Sequence, residues 1–259
     1  MTSSALDPAK RKARLAGHLF VLAFFGVWIL YSSVVESYVM PGPWLVFSRL
    51  GLMFTDVHEV GHMFYSFAHI IVSVAISFVL GSALAFIAHY LGTFELMVHG
   101  RLSPFLNSFS GIGWTFLAII WFGISDVTVI FVISMVLIPF AIINMREALV
   151  NLDQERIEMS VSFTRSGWRR FRLVILPSLY PFIFATIRIS FGVAWKVALT
   201  AELFGGNTGL GYMLNLARQD FDMPLVIAVI VVIIAFVYST DRWIFMPVQA
   251  HLARHHVSN

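Results

Sequence analysis

Residues 158–177 read EMSVSFTRSGWRRFRLVILP, a polar stretch that lies between long apolar runs of the chain. It carries four arginines, Arg165, Arg169, Arg170 and Arg172, and it is long enough to fold. Basic residues in short loops are retained on the cytoplasmic side of a membrane. The stretch therefore predicts a membrane-embedded body with a folded cytoplasmic surface, of the kind that binds a partner.

The composition places most of the chain in lipid. Of its 259 residues, 59% are hydrophobic and 12% are charged, which is more apolar side chain than one soluble core of this size buries. The chain has no cysteine, which excludes disulfides and thiolate metal sites. The net charge of +3 is small and clustered, which indicates membrane topology rather than nucleic-acid binding. The basic N-terminal cluster leads into an apolar run without a small-residue cleavage site, so we expect no cleavable signal.

Six continuous apolar runs are long enough to cross a bilayer, since a spanning helix needs about 20 apolar residues. They lie at 15–35, 66–90, 103–124, 127–145, 179–204 and 224–246. Their apolar residues do not alternate with polar ones, which argues against a barrel. Only Ser125 and Asp126 separate the third run from the fourth, which predicts a tight helical hairpin. The sequence thus predicts an all-α polytopic membrane protein with six transmembrane helices, and a single domain over residues 1–259.

Lysine and arginine are unevenly distributed between the two sides. With the N-terminus inside, the inner segments hold the basic N-terminal cluster and most of the loop arginines, whereas the outer segments hold only Arg49 and Arg218. The positive-inside rule then places both termini and residues 158–177 in the cytoplasm. An outer segment begins Met40-Pro41-Gly42-Pro43 and continues with aromatic and aliphatic residues, which predicts a short interfacial helix.

The cytoplasmic loop, about 146–177, predicts two short helices. The first, over 146–163, has aliphatic residues at helical spacing among charged ones and is therefore amphipathic. Thr164 and Ser166 are suited to cap a second helix that begins near Gly167 and stops at Pro177. A solvated connector is the alternative, but its length and two-helix design favour a docking loop.

The spacing within this loop resembles the EAA loop of permease subunits in bacterial binding-protein-dependent ABC importers. Glu158 begins the pattern, Val174 takes its isoleucine position, and Leu176-Pro177 closes it at the expected distance. Three residues replace the two alanines and the glycine of the pattern: Met159, Ser160 and Thr164.

Further short segments resemble the same family over roughly residues 40–250, and are closest to its nitrate, sulfonate and taurine branch. In order they are Trp121-Phe122-Gly123-Ile124, Arg188-Ile189, Ala201-Glu202, Gly209-Leu210-Gly211-Tyr212, Ala217-Arg218-Gln219 and Asp241-Arg242. The stretch from Ser110 to Trp114 departs from the branch, which usually has prolines there. The resemblance implies a multi-pass permease of the bacterial inner membrane.

The resemblance also implies a transport subunit rather than an enzyme, with no cofactor of its own. Two permeases, taken to be identical, would bind two cytoplasmic ATP-binding subunits and an external solute-binding protein. They would carry a small anionic or zwitterionic solute such as sulfonate, taurine or nitrate. The chain has no G-x-x-x-x-G-K-[ST] run, in keeping with ATP hydrolysis on the partner subunits. Carried over from the family, the ATPase-coupling residues are Glu158, Ser160, Phe163, Thr164, Arg165, Trp168 and Arg169.

Charged and aromatic residues inside the apolar runs mark the expected translocation path. Charges at this depth are costly, and they face a bundle interior or a wet cavity. Lys196 is expected either to attract a passing anion or to pair with Glu202 of the same or the partner subunit. Arg188 either faces the path or extends to the cytoplasmic surface. The candidate translocation residues are Trp114, Arg188, Trp195, Lys196 and Glu202.

An enzymatic alternative comes from His58-Glu59-Val60-Gly61-His62, which matches the H-E-x-x-H pattern of zinc metalloproteases. On a helix, His58 and His62 would share one face, with Glu59 as the base. His69 returns to that face about 16 Å further along the helix, which is too far for a third ligand of the same ion. A passive channel is a third class, but it has no use for a docking loop.

Overall fold

The computed structural model describes residues 8–152, 158–160, 162 and 166–249, and in these residues the secondary structure is helical with no strand. The main helices are α1 (Pro8–Val34), α2 (Pro43–Met53), α3 (Val57–Tyr90), α4 (Ser103–Ser108), α5 (Gly111–Phe122), α6 (Asp126–Val150), α7 (Gly167–Arg170), α8 (Leu176–Gly205), α9 (Leu210–Gln219) and α10 (Met223–Thr240). Short turns at Gly92–Phe94, Glu95–Met97 and Val98–Leu102 join α3 to α4. The predicted all-α class is confirmed.

Five stretches of helix are long and apolar enough to span a bilayer, and a bent helix pair makes up to six if the pair counts as one span. The five are Leu15–Val34, Val57–Tyr90, Asp126–Val150, Gly167–Gly205 and Met223–Gln249. The prediction of one helix over 103–124 is wrong, because the helical stretch Gly92–Ser108, which ends in α4, meets α5 at an angle of 86°. Phe109 is extended at the break, and the side chain of Ser110 then caps α5 by accepting a hydrogen bond from Gly113 N at 3.2 Å. A serine N-cap starts a new helix here in place of a continuous span.

The predicted hairpin between α5 and α6 is confirmed. Gly123 ends α5 with φ of 69°, a conformation that favours glycine. Ser125 caps α6 by accepting from Thr128 N at 3.4 Å, and the Thr128 hydroxyl donates to Gly123 O at 2.6 Å. These local hydrogen bonds satisfy backbone groups that the turn would otherwise leave unpaired.

The centre of the fold is the close packing of α3, α6 and α8. Small residues on α3 allow α6 to approach: a Cβ at Gly81 would lie 2.5 Å from Ala141 Cβ and 3.0 Å from Ile138 O. The Ser73 hydroxyl donates to Ile130 O at 3.2 Å across the same interface. Small residues and interhelical hydrogen bonds are the usual means by which helices associate in lipid, where no hydrophobic force drives them together.

The first helix is set apart from this centre. No residue of the apolar window of α1 is buried within the chain. Trp28 Nε1 of α1 donates a hydrogen bond to Pro41 O, at 3.0 Å. Pro41 lies just before the short helix predicted in this segment, and that helix is confirmed as α2.

The loop between α6 and α8 departs from the two-helix prediction. Residues 146–150 are the last turns of α6, which ends where Asn151 Nδ2 donates to Glu147 O at 2.8 Å. Residues 158–160 are helical, whereas 153–157, 161 and 163–165 lie outside the described residues. The second helix begins at Gly167, as predicted, with the side chain of Ser166 accepting from Arg169 N.

Pro177 does not stop this second helix, contrary to the prediction. The helix continues through a π turn at Phe171–Ile175 into α8, so that helix runs from Gly167 to Gly205. Leu176 N donates to Phe171 O, five residues back, and this wider turn brings Pro177 into the first turn of the α-helical segment. A proline is tolerated there because the missing N–H has no required acceptor.

Replacing Gly81 by alanine should loosen the contact between α3 and α6, because the added Cβ has no room. Overpacking of this kind costs about 1–3 kcal/mol, so we expect a lower thermal unfolding midpoint in detergent. Gly61, on the same helix, has no heavy atom within 4 Å of an added Cβ, so Gly61→Ala should keep or raise the midpoint. An equal fall in both variants would contradict this packing.

Candidate functional site

Glu202, near the end of α8, is completely buried and fully engaged in hydrogen bonds. Its Oε2 accepts from the Ser66 hydroxyl at 2.7 Å and from Gly211 N at 2.9 Å. Its Oε1 lies 2.9 Å from His69 Nδ1. A buried carboxylate is tolerated only with such partners, because the alternative is the desolvation of an unpaired charge. We call Glu202, Ser66, His69 and the backbone of residues 209–211 the Glu202 cluster.

The cluster holds the loop that joins α8 to α9. Leu210 N donates to the Ser66 hydroxyl at 2.7 Å, so Ser66 links this loop to Glu202. Gly209 N donates to His62 Nδ1 at 3.1 Å. The first amides of α9 therefore face acceptors on α3 and α8, and their partial positive charge stabilises the carboxylate. The outcome is a loop fixed to two different helices.

Two glycines allow this approach. Gly209 has φ of 99°, and a Cβ there would lie 2.3 Å from the Glu202 carboxyl carbon. A Cβ at Gly211 would lie 2.5 Å from Leu199 O and 2.7 Å from Glu202 Cβ. Glu202 and the Gly209-Leu210-Gly211 stretch are thus fitted to each other, which gives a physical reason for their presence together in the sequence.

The start of α6 completes the arrangement. Asp126 Oδ1 lies 3.4 Å from His69 Nε2 and accepts from the Thr208 hydroxyl at 2.5 Å. Ser125 N donates to Gly205 O at 3.0 Å. Helices α3, α6, α8 and α9 therefore meet at one polar centre, in which His69 lies between two carboxylates.

Sequence reasoning missed Ser66, His69 and Asp126 as members of this centre, and it considered His62 only as a zinc ligand. A signal was present, since Ser66, His69 and Ser73 lie three and four residues apart on an apolar helix, which marks one polar, buried face. What the sequence could not supply was the loop 208–211 that this face binds, which is more than 130 positions away.

The H-E-x-x-H pattern is used for structure. Glu59 binds Arg49 through both oxygens, at 3.0 and 2.5 Å, and His62 accepts from the loop amide of Gly209. Arg49 Nε also lies 3.6 Å from Asp222 Oδ2. In the described part of the chain, no group of three or more His, Cys, Asp or Glu residues is arranged to hold a metal ion.

All five expected path residues lie on α5 or α8, and three of them, Trp114, Trp195 and Lys196, have different surroundings. Trp114 and Trp195 are buried, at 5% and 4% exposure, and their indole N–H groups have no hydrogen-bond partner among the described residues. Trp195 stacks on Phe236, with ring centroids 6.1 Å apart. Lys196 is exposed. The expected pairing of Lys196 with Glu202 of the same chain is wrong, because the Glu202 oxygens already accept from Ser66, His69 and Gly211.

Arg188 is engaged near the other end of α8. Its Nε and Nη2 donate to the two oxygens of Asp241, at 2.9 and 3.1 Å, and its Nη1 donates to Gln249 Oε1. Arg188 lies fourteen positions before Glu202, or about 21 Å along the helix. The structure therefore does not bring the five predicted path residues together. Glu202 links α8 to α3 and α9, whereas Arg188 links α8 to Asp241 at the end of α10.

The predicted coupling residues that the structure describes are mostly exposed. Glu158 is exposed, whereas Ser160 is 6% exposed. Trp168 is 71% exposed and stacks on Phe171 at 5.8 Å, and Arg169 is exposed beside it. The other three predicted coupling residues, Phe163, Thr164 and Arg165, lie outside the described residues.

The sequence profile of the binding-protein-dependent transport system inner membrane component matches residues 19–246. The chain belongs to this family. It is therefore a multi-pass membrane permease subunit of an ABC importer, and ATP hydrolysis takes place on partner ATP-binding subunits. The predicted family and its nitrate, sulfonate and taurine branch are confirmed, and the zinc protease and the passive channel are not supported.

Relatives of this permease subunit align over most of its length. A Bacillus subtilis protein named for aliphatic sulfonates transport is 28% identical over 240 residues, covering 91% of this chain and 86% of its own. The bicarbonate transport system permease protein of Synechococcus elongatus is 24% identical over 242 residues, with coverage of 86% and 87%. An inward-facing structure of the MetNI methionine ABC transporter shares the fold, with a TM-score of 0.65 and 16% identity over 74% of this chain and 95% of that one.

Replacing Gly209 by alanine should disrupt the Glu202 cluster. Gly123 is the matched control, because it also has a positive φ but no heavy atom within 4 Å of an added Cβ. Both variants place a side chain on a residue with a positive φ, which costs of order 1–3 kcal/mol. Only in Gly209→Ala does the added Cβ also collide with Glu202. We expect a larger fall in thermal midpoint and a larger loss of reconstituted uptake for Gly209→Ala. Equal effects would show that the cluster adds nothing beyond the local backbone.

Proposed function

We propose that this permease subunit acts as one transmembrane domain over residues 1–259, in a pair of identical copies that forms the path for a small anionic or zwitterionic solute. Two cytoplasmic ATP-binding subunits and an external solute-binding protein complete the importer. The solute class is supported by the relatives that align over most of the chain, which are named for aliphatic sulfonates and bicarbonate transport.

The observation that carries this proposal is the continuity of one helix. Helix runs for 39 residues from Gly167, beside the coupling segment, to Gly205, beside the Glu202 cluster. Such a helix is about 58 Å long, so displacement of one end displaces the other. We infer that the ATPase moves Glu158, Ser160, Phe163, Thr164, Arg165, Trp168 and Arg169, and that α8 transmits this movement to the opposite side of the membrane.

We propose that both termini and the coupling segment lie in the cytoplasm. The coupling side carries Arg146, Arg169, Arg170 and Arg172, whereas the side of the Glu202 cluster has Arg49 and Arg218 in its connecting segments. Basic residues in short loops are retained inside, which supports this orientation.

The proposed path lies along the exposed face of α8. Ile189, Lys196 and Phe204 are exposed on this helix, and Phe204 meets Phe116 of α5 with ring centroids 6.3 Å apart. A second copy facing this surface would enclose two Lys196 ammonium groups between the copies. Trp114, Trp195, Arg188 and Glu202 then shape the path by holding the helices around it, rather than by binding solute.

Replacing Glu158 by alanine should separate ATP hydrolysis from uptake, because Glu158 begins the segment proposed to dock on the ATPase. In vesicles containing the complete importer, we expect uptake to fall at least tenfold while ATPase activity persists. Glu147 is also exposed, lies on the last turns of α6, and precedes the docking pattern, so Glu147→Ala is the control and should transport normally. Normal uptake by Glu158→Ala would refute the coupling role.

Replacing Lys196 by alanine tests the nature of the solute. A charge within the membrane attracts an opposite charge strongly because the surroundings are poorly polarisable. The solutes to test are taurine, methanesulfonate and bicarbonate. For the one that is transported, we expect the concentration giving half-maximal uptake to rise about tenfold in Lys196→Ala. Lys196→Arg should bring this concentration most of the way back to the wild-type value. Unchanged uptake of an anion by Lys196→Ala would exclude this contact.

A further inference from the structure

The turn that joins α9 to α10 holds a phenylalanine in a backbone conformation that favours glycine. Phe221 has φ of 58°, and among the described residues it is the only one besides glycine with a positive φ. The turn closes α9 with two hydrogen bonds: Asp222 N donates to Ala217 O at 2.9 Å, and Phe221 N donates to Arg218 O at 3.4 Å. Helices that end with this pair of bonds usually place glycine at the position of Phe221.

The rest of the chain buries little of the Phe221 ring, so intramolecular packing offsets little of that strain. The Phe221 side chain is 69% exposed. A glycine at this position would satisfy the same two backbone hydrogen bonds without a Cβ in the left-handed region. Backbone strain persists where the surrounding structure holds it, and it is often found where a side chain has a function.

Hydrogen bonds hold the chain on both sides of the turn. Before it, α9 begins at the Glu202 cluster, where Leu210 N and Gly211 N are bound. After it, Asp222 caps α10 by accepting from Leu225 N at 3.1 Å, and its other oxygen lies 3.6 Å from Arg49 Nε. An aromatic side chain held by such a frame loses little conformational freedom when it binds.

The neighbours of Phe221 are polar and exposed. Arg218, Gln219 and Asp220 are all exposed, and Arg218 Nη2 donates to Asn215 Oδ1 at 3.2 Å. A single aromatic group with an arginine and a polar rim is the composition of a protein-binding hot spot. Three consecutive polar residues beside the ring favour a protein partner over the lipid surface.

We propose that Phe221 is an anchor with which this subunit binds the external solute-binding protein. The inference rests on the proposed function, which puts this turn on the outer side of the membrane. The Phe221 ring enters an apolar pocket of the binding protein, while Arg218 and Asp220 meet polar groups around it. The ring is exposed at this turn, where the partner can reach it.

The test uses the complete importer in lipid nanodiscs, with the purified solute-loaded binding protein that serves it. Truncation of an aromatic anchor commonly costs tenfold or more in affinity. We expect Phe221→Gly to raise at least tenfold the concentration of binding protein that half-maximally stimulates ATPase activity. The thermal midpoint should stay equal or rise, because glycine relieves the left-handed strain. Trp44→Ala removes an 85% exposed aromatic group from α2, and it should change neither value.

An unchanged half-maximal concentration in Phe221→Gly, with normal stimulation of the wild type, would overturn this inference and leave the proposed function standing. An equal increase in Trp44→Ala would also overturn it. A wild-type importer that the binding protein does not stimulate would overturn both.

A second variant distinguishes a protein contact from a membrane contact. The chain has no cysteine, so Phe221→Cys places one thiol in each permease copy for a nitroxide label. We expect the label to collide with a water-soluble relaxation agent, and to lose at least half of that accessibility when the binding protein is added. A label reached by oxygen dissolved in lipid, and unaffected by the binding protein, would show a membrane anchor and refute the docking role.

Discussion

A carboxylate that is completely removed from solvent must receive hydrogen bonds, and much of this fold is arranged around that requirement at Glu202. The donors come from places far apart in the sequence: a serine and a histidine of α3, and a backbone amide at the start of α9. Because each donor also holds its own element in position, satisfying one charge links three helices, α3, α8 and α9, at one place. The fold tolerates little variation there, as the space left for Gly209 indicates.

The other end of the helix that carries Glu202, near Trp168, is exposed rather than buried. Around Trp168 and Arg169 the side chains are exposed, and no comparable polar centre fixes this end among the described residues. The π turn at Phe171–Ile175 lets α8 begin without a break at Pro177. One helix thus joins an end where Trp168 and Arg169 are exposed to an end held by the Glu202 cluster. Between them, the Arg188 pair with Asp241 links this helix to the end of the last helix. This arrangement agrees with the proposed transmission of movement along α8.

Local patterns in the sequence were sufficient for several features. Apolar runs of sufficient length predicted the spanning helices, Ser125 and Asp126 predicted the hairpin, and Met40-Pro41-Gly42-Pro43 predicted the start of α2. The prediction of helix ends failed at two places where a single hydrogen bond breaks or continues a helix. The Ser110 cap divides the run at 103–124. The hydrogen bond from Leu176 N to Phe171 O closes a wider, π turn, and the helix continues through it past Pro177. Hydropathy does not register either bond, because it counts side chains and not backbone partners.

The sequence by itself determined that this chain is a helical membrane protein, where most of its long apolar helices lie, and which family it belongs to. These follow from the length of apolar segments and from spacing within short motifs, both of which are local properties. Only the tertiary structure decided what the buried polar residues do. Glu202 accepts from Ser66 and His69 rather than pairing with Lys196, and Glu59 binds Arg49 rather than serving a zinc ion. The choice among possible partners depends on distances between helices, and the packing of small residues such as Gly81 sets those distances.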